Sequence, residues 1–136
     1  MQTATITWTQ EQTFRALGPS GHTVVMDSDR QSNAGPGPME MLLMALGGCT
    51  ATDIVIILEK KRQKLQSLEV VCSGERAPDP PRVWVKLDVL FRVRGEVDEH
   101  ALKRAIELTK EKYCSVAATL SKTAEISWHF ELLPAE

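Results

Sequence analysis

From Pro38 to about Leu65 the chain meets no Gly–Pro interruption, and the first part of that stretch, Met39–Ile57, is apolar on nearly every side. Pro38 suits the first position of a helix, where its missing N–H has no partner to lose. A helix follows whose second part, Glu59–Lys64, is charged and solvated. Its first part must be covered all round, because an apolar stripe on every face leaves no side fit for water. A chain of 136 residues buries roughly two thirds of its unfolded surface, and a single copy has difficulty enclosing such a helix. The pattern predicts a buried central helix in a homodimer whose subunits share a core.

The remaining elements are shorter. Ala4–Trp8, Thr13–Leu17 and His22–Asp27 carry β-branched and aromatic residues between turn signals such as Gly18-Pro19-Ser20-Gly21, which predicts a β-meander. Ser28–Pro38 has no periodicity and reads as a loop. Leu68–Arg76 and Arg82–Val93 alternate as two antiparallel strands. Asp98–Lys112 places Leu102, Ala105, Ile106 and Leu108 on one helical face, Ser115–Lys122 predicts a shorter helix, and Ala124–Leu132 alternates as a last strand. Strands and helices fall in blocks, so the expected class is α+β, in one domain spanning residues 1–136.

Charge and composition exclude several functions. A formal net charge of −2 with no basic run offers no attraction to phosphate backbones or anionic lipid, so nucleic acid is not an expected partner. The apolar run at Met39–Leu46 is less than half a membrane span, and the first residues lack a signal-peptide pattern. The expectation is a cytoplasmic protein with no membrane partner. Three cysteines, Cys49, Cys72 and Cys114, are too few and odd in number for a disulfide framework.

Cys49 follows Gly47-Gly48 inside the central helix. Two glycines there cost about 1 kcal/mol each relative to alanine, which close approach of another helix or room for a substrate would offset. Cys49 is then either a small buried hydrophobe at a tight crossing or a nucleophile. Cys114 opens the predicted helix at Ser115, where the free N–H groups and positive end of the dipole favour a thiolate and a low pKa; it too can be read as buried and structural. Cys72, mid-strand, has no evident activating group. A redox pair of Cys49 and Cys114 would form a sulfenic acid and then a disulfide.

Glu40 and Asp53 lie on the central helix on either side of Cys49, Asp53 one turn away, and either could orient an arginine or stand as an ordinary helix charge. His22, His100 and His129 are isolated, without metal-ligand spacing, and phosphate-loop, nucleophile-elbow and C-x-x-C motifs are absent. Hydrolase, nucleotide and zinc readings lose their basis. Trp8, Trp84 and Trp128 fall on strands and read as core.

The segment from Gly37-Pro38 through Gly47-Gly48-Cys49-Thr50, followed by Glu111-Lys112-Tyr113-Cys114-Ser115-Val116, resembles the OsmC/Ohr family of thiol-dependent peroxidases over about residues 3–133. The resemblance implies an OsmC-like fold: an intertwined homodimer with antiparallel sheets wrapped around two long central helices and active sites at the subunit interface. It implies reduction of organic hydroperoxides or hydrogen peroxide by a peroxidatic cysteine, matched here to Cys49, with Cys114 matched to the resolving cysteine. It also implies re-reduction by a dithiol such as a lipoylated protein, with no metal or bound cofactor. In the family a glutamate directly after the proline holds an arginine near the thiolate. Here Met39 follows Pro38 and the acid is Glu40, one residue or about 100° of helix later; Arg15 and Arg30 are the arginine candidates. The family's second cysteine precedes a proline, whereas Cys114 precedes Ser115.

Three readings follow: a thiol peroxidase working through Cys49 and Cys114, a non-enzymatic dimer binding a small hydrophobic ligand at its interface, and a dimeric interaction module.

Overall fold

The computed structural model describes residues 1–136 and divides into two compact units, Met1–Leu42 and Leu43–Glu136. The first unit is the expected meander. β1 (Thr5–Gln10), β2 (Thr13–Leu17) and β3 (Thr23–Asp27) pair antiparallel in that order. Glu11 turns the first hairpin with φ 47°, and Gly21, at φ 88°, lets its N–H reach back to Gly18 O at 3.0 Å in the second.

The loop after β3 lacks periodicity yet is tightly organised. Fully buried Asp27 accepts hydrogen bonds from Asp29 N at 2.9 Å, Ser32 Oγ at 2.6 Å and Ala34 N at 3.0 Å. The hydroxyl and amide donors hold its carboxyl down at about 2. Sequence reasoning missed this residue; the signal available was an Asp closing a strand ahead of Ser and Asn, the usual material of side-chain turns.

Helix α1 (Pro38–Lys60) begins in the first unit and runs into the second. It stops five residues earlier than its sequence suggests. Arg62 takes φ 56°, its N–H donates to Glu59 O and the N–H of Gln63 donates to Leu58 O, both at 2.9 Å. That is a Schellman ending built on arginine where glycine is usual, which is why no stop signal was visible. Lys64 then starts a strand. With 23 residues and a most apolar stretch of mean hydropathy 2.1, α1 is long and apolar enough to cross a bilayer, which corrects the estimate from Met39–Leu46 alone. Its buried positions are Leu46, Thr50, Ile54, Ile57 and Leu58, whereas Leu42, Met44, Val55 and Ile56 remain exposed in the single chain.

The second unit holds a sheet of order β4-β5-β6. β4 (Lys64–Arg76) and β5 (Trp84–Glu96) pair antiparallel over their length, with an irregularity between Leu65 and Ser67 that changes which side chains face inward. Gly95, opposite Leu65, has φ 150°, and a Cβ there would lie 2.3 Å from Lys64 O. β6 (Glu125–Leu133) pairs parallel to β5, which the sequence reading did not anticipate. A parallel neighbour requires a crossover, and the helices between them provide it.

The core follows from period-two burial on β5, where Leu87, Val89, Phe91 and Val93 are at most 2% exposed. Phe91 stacks on Trp128 of β6 with ring centroids 6.2 Å apart. Helix α2 (Glu99–Leu108) adds Ala101, Leu102, Ala105 and Ile106 at helical spacing. Asp98 caps it by accepting from Ala101 N at 3.2 Å. The expected continuation to Lys112 is instead a π-turn, Thr109–Tyr113, before helix α3 (Ser115–Leu120).

Candidate functional site

The π-turn sets the position of the second cysteine. Cys114 N donates to Thr109 O at 3.0 Å, five residues back, and the chain then opens to φ −78°, ψ 100° at Cys114 before α3 begins. Widened turns of this kind re-aim the following residue and recur at functional sites. Cys114 is the N-cap of α3, its Sγ accepting from Ala117 N at 3.3 Å.

Two residues of α1 meet it. Cys49 and Asp53 are one turn apart on one helix face, and the two Sγ atoms and a carboxylate oxygen of Asp53 all lie within 4.8 Å of one another. All three cysteines are free thiols, Cys114 buried and Cys49 half-buried. Oδ2 of Asp53 is buried without a hydrogen-bond partner, and burial raises its carboxyl above the ordinary aspartate range.

Cys114 does not carry the low pKa predicted from its place at a helix start. Burial dominates and pushes the thiol up to about 12; the Ala117 N–H opposes the rise, and the hydrogen bond with Cys49 and the charges of Cys49 and Asp53 add to it. A six-residue helix has a weak dipole, and one N–H···S contact does not outweigh loss of water around the sulfur.

The glycines before Cys49 differ in their surroundings. A Cβ on Gly47 would stand 3.4 Å from Cys72 Sγ of β4, whereas one on Gly48 would meet nothing within 4 Å. Within this chain the nearest neighbour of Gly47 is thus a strand residue, at ordinary van der Waals distance. Burial raises the Cys72 thiol too, with the Asp88 carboxylate adding to the effect. An open cleft of about 460 Å³ lies here, walled by Leu43, Met44, Gly48, Ala51, Leu68 and Val70. Another of about 400 Å³ reaches Asp53 itself, between Ile56, Ile57, Leu108 and Tyr113, with Lys60 and Lys61 among its lining.

The other candidate residues lie in the first unit. Glu40 Oε1 accepts from Gly37 N at 2.7 Å, closing the start of α1, and pairs with Arg30 Nη1 at 3.3 Å. Arg30 is also bound to Asn33 Oδ1 and to the carbonyls of Asp27 and Gly35. Of the two arginine candidates, Arg30 is thus the one that an acid holds. Arg15 sits on β2, exposed, opposite Thr7 and Val25.

Comparison with known proteins agrees with this architecture. A family model described as OsmC-like protein matches residues 30–129. Protein YhfA of Escherichia coli K12 is 41% identical over 133 residues, covering 97% of this chain and 98% of its own. A crystal structure of a protein from Aquifex aeolicus is 28% identical, with a TM-score of 0.90 over 100% of this chain and 98% of that one. An organic hydroperoxide resistance protein OsmC from Legionella pneumophila shares the fold at 9% identity, with a TM-score of 0.71 and 96% of each chain covered. With its helix-borne Cys49, its second cysteine on the crossover and the match over most of its length, the chain belongs to the OsmC-like family and has that family's α+β fold.

Proposed function

We propose that the protein is a cytoplasmic thiol-dependent peroxidase that acts as a homodimer on organic hydroperoxides or hydrogen peroxide. The observation that carries this reading is the meeting of Cys49 Sγ and Cys114 Sγ within 4.8 Å, the first half-buried and the second buried. Cys49, as thiolate, attacks a peroxide oxygen; the O–O bond breaks, an alcohol or water leaves with a proton, and Cys49 becomes a sulfenic acid. The Cys114 sulfur then displaces that hydroxyl as water, forming an S–S bond of about 2.05 Å. A dithiol, such as a lipoylated protein, returns both sulfurs to thiols and is itself oxidised to a disulfide. The exposed apolar residues of α1 are what a second subunit would cover, and the cleft beside Asp53 suits an apolar peroxide.

The test is consumption of cumene hydroperoxide and hydrogen peroxide with dihydrolipoamide or dithiothreitol, by wild type, Cys49→Ser and Cys114→Ser, with thiols counted by mass. Turnover lost in Cys49→Ser and a peroxide-induced Cys49–Cys114 disulfide in wild type are expected. No turnover and no disulfide under either reductant would refute the reading. The apolar cleft along Leu43, Met44, Leu68 and Val70 favours a second one, a ligand-binding dimer. It predicts that a bound hydrophobic probe is retained by Cys49→Ser.

A further inference from the structure

Sequence reading excluded a metal because His22, His100 and His129 are isolated. Folding assembles a different donor set. We propose that Cys49, Asp53 and Cys114 form a site for one thiophilic divalent cation, Zn2+ by preference, held by two thiolates and a carboxylate with a fourth position left to solvent.

Geometry carries the argument. In a tetrahedral zinc site, bonds of about 2.3 Å to sulfur and about 2.0 Å to oxygen set the ligands roughly 3.5–3.8 Å from one another. The three donor atoms here are already within 4.8 Å, so small side-chain rotations bring them to a common centre. Two of the three sit one turn apart on α1, a rigid element that fixes their spacing. The third is held from behind: Cys114 Sγ accepts the Ala117 N–H at 3.3 Å, the kind of outer contact that orients a thiolate ligand. Asp53 Oδ2 is buried and lacks any partner within the chain, and a cation is a group that would satisfy it. Two sulfur donors select zinc over magnesium or calcium, which take oxygen.

Binding exchanges two thiol protons for the metal; both leave to solvent and no oxidation occurs. Metal and disulfide are therefore alternatives at the same sulfurs. The site goes beyond the peroxidase reading and does not depend on it, since metal binding is measured without peroxide.

The experiment is titration of the reduced full-length protein with Zn2+ by calorimetry, and with Co2+ by absorption. We expect one ion per chain, a thiolate-to-cobalt charge-transfer band, and at least tenfold weaker binding in Asp53→Asn. Cys49→Ser and Cys114→Ser should lose at least a hundredfold, and Cys72→Ser should bind as wild type. Diamide-oxidised wild type should bind nothing, a control that needs no substitution to fold. Zinc-loaded protein should also resist formation of the Cys49–Cys114 disulfide by diamide. Absence of the charge-transfer band, or affinity unchanged by diamide oxidation or by loss of Cys49 and Cys114, would overturn the proposal.

Discussion

The burial of Cys114 makes a quantitative prediction about the resolving step. Its thiol is pushed up to about 12, so at pH 7 on the order of one molecule in 100,000 carries the thiolate, against about one in thirty for an ordinary cysteine near 8.5. That is a roughly 3,000-fold deficit. A more basic thiolate is intrinsically more nucleophilic, with a Brønsted slope of about 0.4–0.5, which recovers about 40-fold over 3.5 pH units. The net expectation is disulfide closure up to about 80-fold slower at pH 7 than with an unshifted cysteine, the part of the rise that Cys49 contributes lapsing once Cys49 is a sulfenic acid. Well below the pKa the thiolate fraction rises tenfold per pH unit, so closure should accelerate about tenfold per unit from pH 6 to 9 without a plateau. The assay converts Cys49 to the sulfenic acid with one equivalent of peroxide, jumps the pH, and counts by mass the protein that dimedone still labels. Asp53→Asn removes a negative charge beside Cys114 and should raise the rate at each pH below 9. A plateau below pH 9 would refute the reasoning, as would a rate independent of pH.

Three further outcomes follow from the fold. Phe91→Ala removes a fully buried ring stacked on Trp128 and should cost about 3–5 kcal/mol in urea unfolding; a loss under 1 kcal/mol would mean this sheet face is not the core. Gly95→Ala places a Cβ 2.3 Å from Lys64 O at φ 150°, and a destabilisation of at least about 2 kcal/mol is expected from the strain and displaced backbone. For Asp27 the folded pKa, about 2, lies below the unfolded value near 3.9. Its stabilisation is complete above about pH 4 and disappears as pH falls toward 2. Acid unfolding of wild type should show that loss, and Asp27→Asn should flatten stability over the same window; an identical slope in both proteins would show that other carboxyls set the acid limit.

Much of this protein is legible from local pattern. Period-two alternation finds β2 and the inward face of β5, helical spacing finds the buried side of α2, and Pro38 marks the start of α1, because each signal depends on residues a few positions apart. The cysteine motifs, in order and with strands and a helix between them, sufficed for the family. Tertiary structure decided what depends on residues far apart in sequence. It paired β6 parallel to β5, and it set Gly47 against Cys72 of a strand. Cys114 was correctly placed at a helix start, yet its pKa moved opposite to the local expectation, because desolvation is a property of everything packed around the sulfur and a cap is not. Cys49 and Asp53 share a face by helical geometry alone, but that Cys114 comes within 4.8 Å of both depends on the π-turn and crossover that carry it there. One turn of helix is written in four residues; a site closed over 65 positions is written only in the packing of the chain between them.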